Sequence, residues 1–207
     1  MTTTQQTMDT LEAIEARRSV KQYDPNFEMP QADVEKLLDL ARLSPTSFNM
    51  QNWRFVLVED KEERQQVKEA AWHQAQVTEA SLLLVLCADL KAAEKDPARY
   101  WKNAPAEVQE TMAPMIKNSY KDKPELQRDE AMRSIGIASQ TLMLAAKAMG
   151  YDSCPMVGFD PLKVAKIINL PEDHVIGMLL VIGKALAPAK PRGGQLSSEE
   201  VIIRNRF

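Results

Sequence analysis

Apolar residues recur at helical spacing in some stretches of this chain and run together in others, and the two patterns alternate. Leu11, Ile14 and Ala16 follow Asp9 at helical spacing, and Glu12 stands three positions after Asp9 as a capping-box partner. A first helix is therefore predicted, ending at the cationic pair Arg17-Arg18. After Pro30, the residues Val34, Leu37, Leu38 and Ala41 form the apolar face of a second helix. The polar turn Ser44-Pro45-Thr46-Ser47-Phe48-Asn49 then leads into a strand over 54–58. Charged residues from Asp60 onward predict another helix. The unbroken apolar run Leu82 to Cys87 predicts a strand buried on both faces.

Residues 91–130 break this rhythm. They are charged, contain Pro97, Pro105, Pro114 and Pro124, and read as short helices making an excursion from the core that could act as a lid. Ser134 to Met149 is a helix apolar on nearly every side, closed by Gly150, so the core or a second subunit must bury it. A short segment 151–156, a helix opened by Asp160-Pro161 and a strand over 175–182 follow. The tail from Ala187 is rich in Pro, Lys, Gly and Ser and ends with the apolar run Val201 to Ile203. Helices and strands alternate without clean strand–helix–strand repeats. The expected class is α+β, a single domain over 1–207 with a central sheet packed by helices.

Composition narrows the function. With 207 residues, 44% hydrophobic and 27% charged, the chain suits one globular domain with a sizeable core. A net charge of −3 with scattered cations offers no nucleic-acid face and no anionic-membrane anchor. The polar stretch Met1 to Thr7 lacks the apolar core of a signal peptide, and the 135–149 run is too short and polar to span a bilayer. A cytoplasmic location is expected. Cys87 and Cys154 read as buried free thiols. With only His73 and His174 and no Cys-x-x-Cys pair, no metal site is expected.

Glycine-rich phosphate loops and the Gly-x-Ser-x-Gly elbow are both missing, and the chain has seven glycines in all. General acid–base and nucleophilic chemistry are poorly supplied, which favours a cofactor that carries its own reactivity. Three clusters could hold one. In Arg17-Arg18-Ser19-Val20-Lys21, guanidinium and hydroxyl donors match a phosphate, although solvated cations at the negative end of a helix dipole would look the same. The stretch Ser44 to Trp53 sets hydroxyls and amides beside Phe48 and Trp53. That suits a heteroaromatic ring, or equally a polar turn before a core tryptophan. Lys190-Pro191-Arg192 adds two cations, either returning to the first cluster or solvated.

Taken in order, these clusters resemble the nitroreductase family of FMN flavoproteins. The likeness includes Arg17-Arg18-Ser19-Val20-Lys21, the Pro45, Thr46, Ser47, Asn49, Gln51 and Trp53 pattern, and the apolar run Ala80 to Ala88. It continues through Gly150 to Asp160 with Pro155-Met156-Val157-Gly158, and closes on Lys190 and Arg192. The resemblance implies a mostly antiparallel sheet flanked by helices, in an intertwined homodimer whose C-terminal arms, with Val201 to Ile203, cross onto the partner. It implies that Arg17, Ser19, Lys190 and Arg192, with Arg18 beside them, bind the FMN phosphate. Lys21 would lie near the pyrimidine edge of the flavin, where a cation favours the charge gathered on reduction. Pro45, Thr46, Ser47 and Asn49 would reach the FMN from the other subunit, with Gln51 near it. The turn Pro155-Met156-Val157-Gly158 would run along the ring, directing a backbone amide at N5.

The implied reaction is ping-pong: NAD(P)H passes hydride to FMN and leaves, and an electron-poor small-molecule acceptor such as a nitroaromatic or quinone takes its place. One departure stands out. Where related proteins often place an Asn and a Lys before the buried strand, this chain has His73 and Gln76, and His73 is a candidate contact of flavin or substrate. His174, after Pro171-Glu172-Asp173, reads as turn surface. Tyr100, Trp101 and Tyr120 of the excursion could stack on an aromatic acceptor or serve as packing residues. The same scaffold would also suit enoate reduction, dehalogenation or non-catalytic FMN binding.

Overall fold

The computed structural model describes residues 8–207, so the polar stretch Met1 to Thr7 lies outside the described residues. Local signals close several helices as the sequence predicts. Helix α1, Thr10–Ala16, is capped by Asp9, whose side chain accepts from the amides of Leu11 and Glu12, and Glu12 reaches back to the Asp9 amide. Helix α2 spans Gln31–Ala41 and buries Val34, Leu37 and Ala41. Strand β1, Trp53–Leu57, is followed by α3, Lys61–Ala70, with Asp60 as its cap. After the short α4, Gln76–Glu79, comes β2, Leu82–Asp89, buried at every position.

The excursion comprises α5, Ala92–Lys95, a 3-10 turn Pro97–Trp101, and α6, Ala106–Tyr120. Helix α7 then runs unbroken over Pro124–Ala148. Its start lies inside the segment expected to belong to the excursion, because its first turns carry Glu125, Arg128, Asp129 and Arg133 on the water side. The apolar stripe by itself hid that beginning. Strand β3 is Asp152–Met156, α8 is Pro161–Ile167 with Asp160 as its cap, β4 is His174–Gly183, and a short α9 is Ser198–Val201.

The strands form one sheet in the order β1-β2-β4-β3, with all pairings antiparallel, as the α+β expectation requires. Alternate side chains of β2 enter two different cores. Leu83, Val85 and Cys87 meet α3, α8 and β3 residues such as Val67, Val164 and Cys154. Leu82, Leu84, Leu86 and Ala88 meet α2 and α7 through Leu37, Ile135 and Leu142. A strand covered by helices on both faces loses the polar alternation of a one-sided antiparallel strand, and this explains its unbroken apolar run. The β2–β4 register slips between Leu86 and Cys87, leaving Gly177 unpaired between Ile176 and Met178. The bulge resets the alternation, so Val175 and Met178 face the α7 side while Ile176 and Leu179 face the other.

Cys87 and Cys154 are buried free thiols, and burial pushes the Cys87 thiol up to about 12. A third, smaller cluster of Met50, Ala92, Ala93, Tyr100, Ile116 and Tyr120 fastens the excursion to the turn before β1. His174 is no turn-surface residue. It opens β4, its side chain is 12% exposed, and Nδ1 lies 2.6 Å from Asp173. Asp89, Asp173 and His174 form an oxygen–nitrogen cluster of the kind that can ligate a metal, but the Lys95 ammonium already sits there, 2.7 Å from Asp89 and 2.8 Å from Asp173. No helix among the described residues is long and apolar enough to cross a membrane.

Candidate active site

The segment after α1 is tied down at two isolated bridges rather than forming a strand. Val20 and Tyr23 point into the core, whereas Ser19 and Lys21 face outward. A parallel bridge between Ser19 and Ser153 ties it to β3, and the Val20 amide donates to the Ser153 carbonyl at 3.1 Å. A second bridge, Tyr23 to Ala185, and the bond from the Leu186 amide to the Gln22 carbonyl at 2.9 Å tie it to the chain leaving β4. The C-terminal tail is thereby led back to the end of α1. The Arg18 guanidinium donates to the Lys190 carbonyl, and Arg192 donates to the carbonyls of Glu15 at 3.2 Å and Arg17 at 3.3 Å.

These contacts close a recess of about 430 Å³ lined by Arg17, Arg18, Ser19, Lys21, Lys190 and Arg192, with Gly193, Gly194 and Gln195. Five cations meet there and no carboxylate lines it. None of the five has an ion-pair partner among the described residues. Arg17 Nη1 is buried without a hydrogen-bond partner. A buried guanidinium donor left unpaired is costly, and like charges brought together raise the cost further. An anion with several acceptor oxygens removes both penalties, so the recess fits the phosphate of FMN.

The polar turn lies elsewhere on the molecule. Ser47–Asn49 makes a 3-10 turn in which Phe48 and Asn49 have φ of 52° and 56°, and Gln51 just beyond it has φ of 45°. Left-handed backbone at residues other than glycine costs on the order of 1–3 kcal/mol each and persists only where surroundings hold it. Here the Thr46 hydroxyl accepts from the Gln51 amide at 2.9 Å, and Ser44 donates to Thr141 of α7 at 3.0 Å. Pro45 and Asn49 are exposed. Asn49 and Gln51 line a second recess of about 370 Å³ with Arg99, Tyr100, Trp101, Lys102 and Asn103, and it shares no lining residue with the cationic one.

The excursion aromatics differ in situation. Tyr100 and Tyr120 are 7% and 4% exposed and pack in the third cluster, and the Tyr100 hydroxyl donates to the Ala92 carbonyl at 3.0 Å. Trp101 is half-buried at the rim.

The Pro155-Met156-Val157-Gly158 turn ends β3. Met156 is buried in the core, so only its backbone can face a ligand, and Val157 is 76% exposed. The turn is braced by Gln74 and Trp72, which the sequence did not single out, and by Gln76, which it marked only as a departure from related proteins. Gln74 donates to the Gly158 carbonyl at 2.9 Å, and Gln76 donates to Gln74 at 3.0 Å and approaches the Met156 sulfur at 3.7 Å. A Cβ on Gly158 would come within 2.9 Å of the Trp72 ring. The Gln74–Gly158 bond joins positions 84 apart, and no local pattern announces it. His73 sits in the same corner, exposed and left-handed at φ 59°. Two further recesses, of about 530 Å³ beside Phe27 and Arg64 and about 540 Å³ beside Lys117 and Lys121, contain none of the expected site residues.

Comparison with known proteins identifies the family. The profile of the nitroreductase family matches residues 14–184. Protein DrgA of Synechocystis sp. is 54% identical over 187 residues, covering 89% of each chain. The oxygen-insensitive NADPH nitroreductase of Helicobacter pylori strain 26695 is 31% identical, covering 85% of this chain and 87% of its own. The FMN complex of a nitroreductase candidate from Exiguobacterium sibiricum superposes with a TM-score of 0.89 at 30% identity, over 97% of this chain and 99% of that one. The chain belongs to the nitroreductase family of oxidoreductases.

Proposed function

We propose that this chain is an FMN-dependent, NAD(P)H-oxidising reductase that works as a homodimer. The carrying observation is the recess in which Arg17, Arg18, Ser19, Lys21, Lys190 and Arg192 meet with no carboxylate and with Arg17 Nη1 unpartnered. Arg17, Ser19, Lys190 and Arg192 hold the phosphate of FMN, Arg18 fixes the tail at Lys190, and Lys21 lies toward the pyrimidine edge. The backbone of Pro155, Met156, Val157 and Gly158 borders the ring. When bound, FMN supplies the two-electron chemistry, taking hydride from NAD(P)H and giving it to an electron-poor acceptor such as a nitroaromatic or quinone.

In the homodimer, Pro45, Thr46, Ser47, Asn49 and Gln51 of one protomer cover the flavin held by the other. Two features support this. The polar turn and the cationic recess share no lining residue within one chain. Apolar side chains also stand exposed on α1 at Leu11 and Ile14, on α7 at Ile137, and in the tail at Val201, Ile202 and Ile203. A second copy would cover this surface, with the tail crossing as an exchanged arm. Trp101 is the excursion aromatic placed to meet a flat acceptor, and His73 borders the opposite corner.

Donor and acceptor then occupy one site in turn. Initial rates measured over a grid of NADH or NADPH against a quinone or a nitroaromatic are expected to give parallel double-reciprocal lines. Intersecting lines would show that both substrates bind together and would overturn the ping-pong order.

A further inference from the structure

The polar turn has no glycine at its three left-handed positions, and of Phe48, Asn49 and Gln51 only Asn49 is of a type that adopts this backbone readily. From outside, the Ser47 amide donates to Glu130 of α7 at 3.4 Å and Arg54 of β1 donates to the Gln51 carbonyl at 3.0 Å, and the excursion adds three more bonds. The Tyr120 hydroxyl donates to Ser47 Oγ at 2.8 Å, the Trp101 indole donates to the Phe48 carbonyl at 3.1 Å, and the Asn49 side-chain Nδ2 donates to the Tyr100 carbonyl at 2.8 Å. Three successive turn residues are each tied to a different excursion residue. Tyr120 also packs its ring edge-on against Phe48, with centroids 6.2 Å apart at 80°.

Tyr120 is well placed to act as the anchor. It ends the fifteen-residue α6, one turn beyond the fully buried Ile116, so α6 fixes its position. Burial raises the pKa of its hydroxyl, which therefore keeps its proton and remains a donor. Asn49 and Gln51 stand at the open side of the same turn, lining the second recess.

We propose that Tyr120, assisted by Trp101, is a positioning residue for the cofactor: it holds the left-handed Ser47–Gln51 turn in the shape that presents Asn49 and Gln51 to the flavin bound by the partner subunit. This rests on the FMN reading above. Tyr120 touches neither flavin nor substrate and acts through Ser47 and Phe48. The excursion thereby serves cofactor retention as well as covering the acceptor site.

The test uses the full chain and its Tyr120→Phe variant, which keeps the ring and loses only the hydroxyl. Titration of each apoprotein with FMN, followed by flavin fluorescence, is expected to show Kd raised about fivefold in the variant, the size of one lost hydrogen bond. Amide hydrogen exchange at Asn49, Met50 and Gln51 is expected to quicken by a similar factor, while the melting temperature of the apoprotein stays near the parent's. A purely structural role would lower the melting temperature and leave Kd for the folded protein unchanged. Trp101→Phe, which removes the indole bond to the Phe48 carbonyl, is expected to act in the same direction and serves if Tyr120→Phe does not fold. A parent that binds FMN, with Kd in both folded variants within twofold of it, overturns the positioning role alone. A parent that takes up no FMN overturns the cofactor reading and this proposal together.

Discussion

Replacing Arg17 by alanine is expected to weaken FMN retention by about 1.5–3 kcal/mol, roughly 10- to 150-fold in Kd, and Arg192→Ala by a similar amount. Both effects come from losing a charged hydrogen bond to phosphate, but the two variants differ without ligand. Arg17 has a buried, unpartnered Nη1 and no ion pair, so its removal relieves the apoprotein of an unsatisfied donor. Apo Arg17→Ala should melt at or slightly above the parent temperature, while the FMN-stabilised increment shrinks. Arg192 also bonds to the Glu15 and Arg17 carbonyls, so its removal loosens the tail and should lower apo stability as well. Equilibrium dialysis of FMN, together with melting curves with and without it, reads both quantities. Unchanged retention in both variants would mean that the phosphate is held elsewhere.

Gly177→Val is expected to cost about 2–3 kcal/mol of folding stability, near the upper end for overpacking a core. Gly177 is the bulge residue of β4, and a Cβ there would stand 2.7 Å from Ile135 Cγ2, 2.8 Å from Cδ1 and 3.3 Å from Cβ. Ile135 is 1% exposed and held on α7 between β2 and β4, so it cannot swing aside without opening the same core. Chemical denaturation of the variant should show a lower midpoint with an unchanged slope. A midpoint equal to the parent's would show that Ile135 and α7 give way easily and that the bulge is not tightly packed. Gly136, one residue further along α7, meets open space in the protomer and provides the comparison.

Much of the fold was legible because it is written locally. Asp9 with Glu12, Asp60 and Asp160-Pro161 mark three helix starts by capping chemistry, and the apolar run of β2 marks the strand at the centre of the sheet. The beginning of α7 at Pro124 was obscured because one face of its first turns is solvated. The bulge at Gly177 was hidden because a single glycine in an apolar run carries no register information. His174 reads as turn surface because Pro171-Glu172-Asp173 precede it, and its place at the start of β4, paired with Asp173, leaves no local mark.

The site divides in the same way. The basic residues could be read one cluster at a time, and the structure joins Arg18 to Lys190 across 172 positions. Which cations meet was decided by the bridges Ser19 to Ser153 and Tyr23 to Ala185, and neither bridge leaves a local mark. Tyr100 and Tyr120 stood out as aromatics in a polar segment, but nothing in their spacing shows that both are buried beneath the 47–51 turn. Gln74 and Trp72, which brace the Gly158 turn, carry no local mark because their partner is distant in sequence, and Gln76 stands out only as a departure from the family pattern.

The central claim, that bound FMN is reduced by a nicotinamide nucleotide at this site, is tested most directly by rapid anaerobic mixing of the FMN-loaded protein with NADH and, separately, NADPH. The yellow flavin absorbance is expected to bleach with at least one nucleotide at a rate no slower than turnover, and to return when a quinone is added. A flavin that stays oxidised with both nucleotides would contradict the account and leave a protein that binds FMN without reducing it.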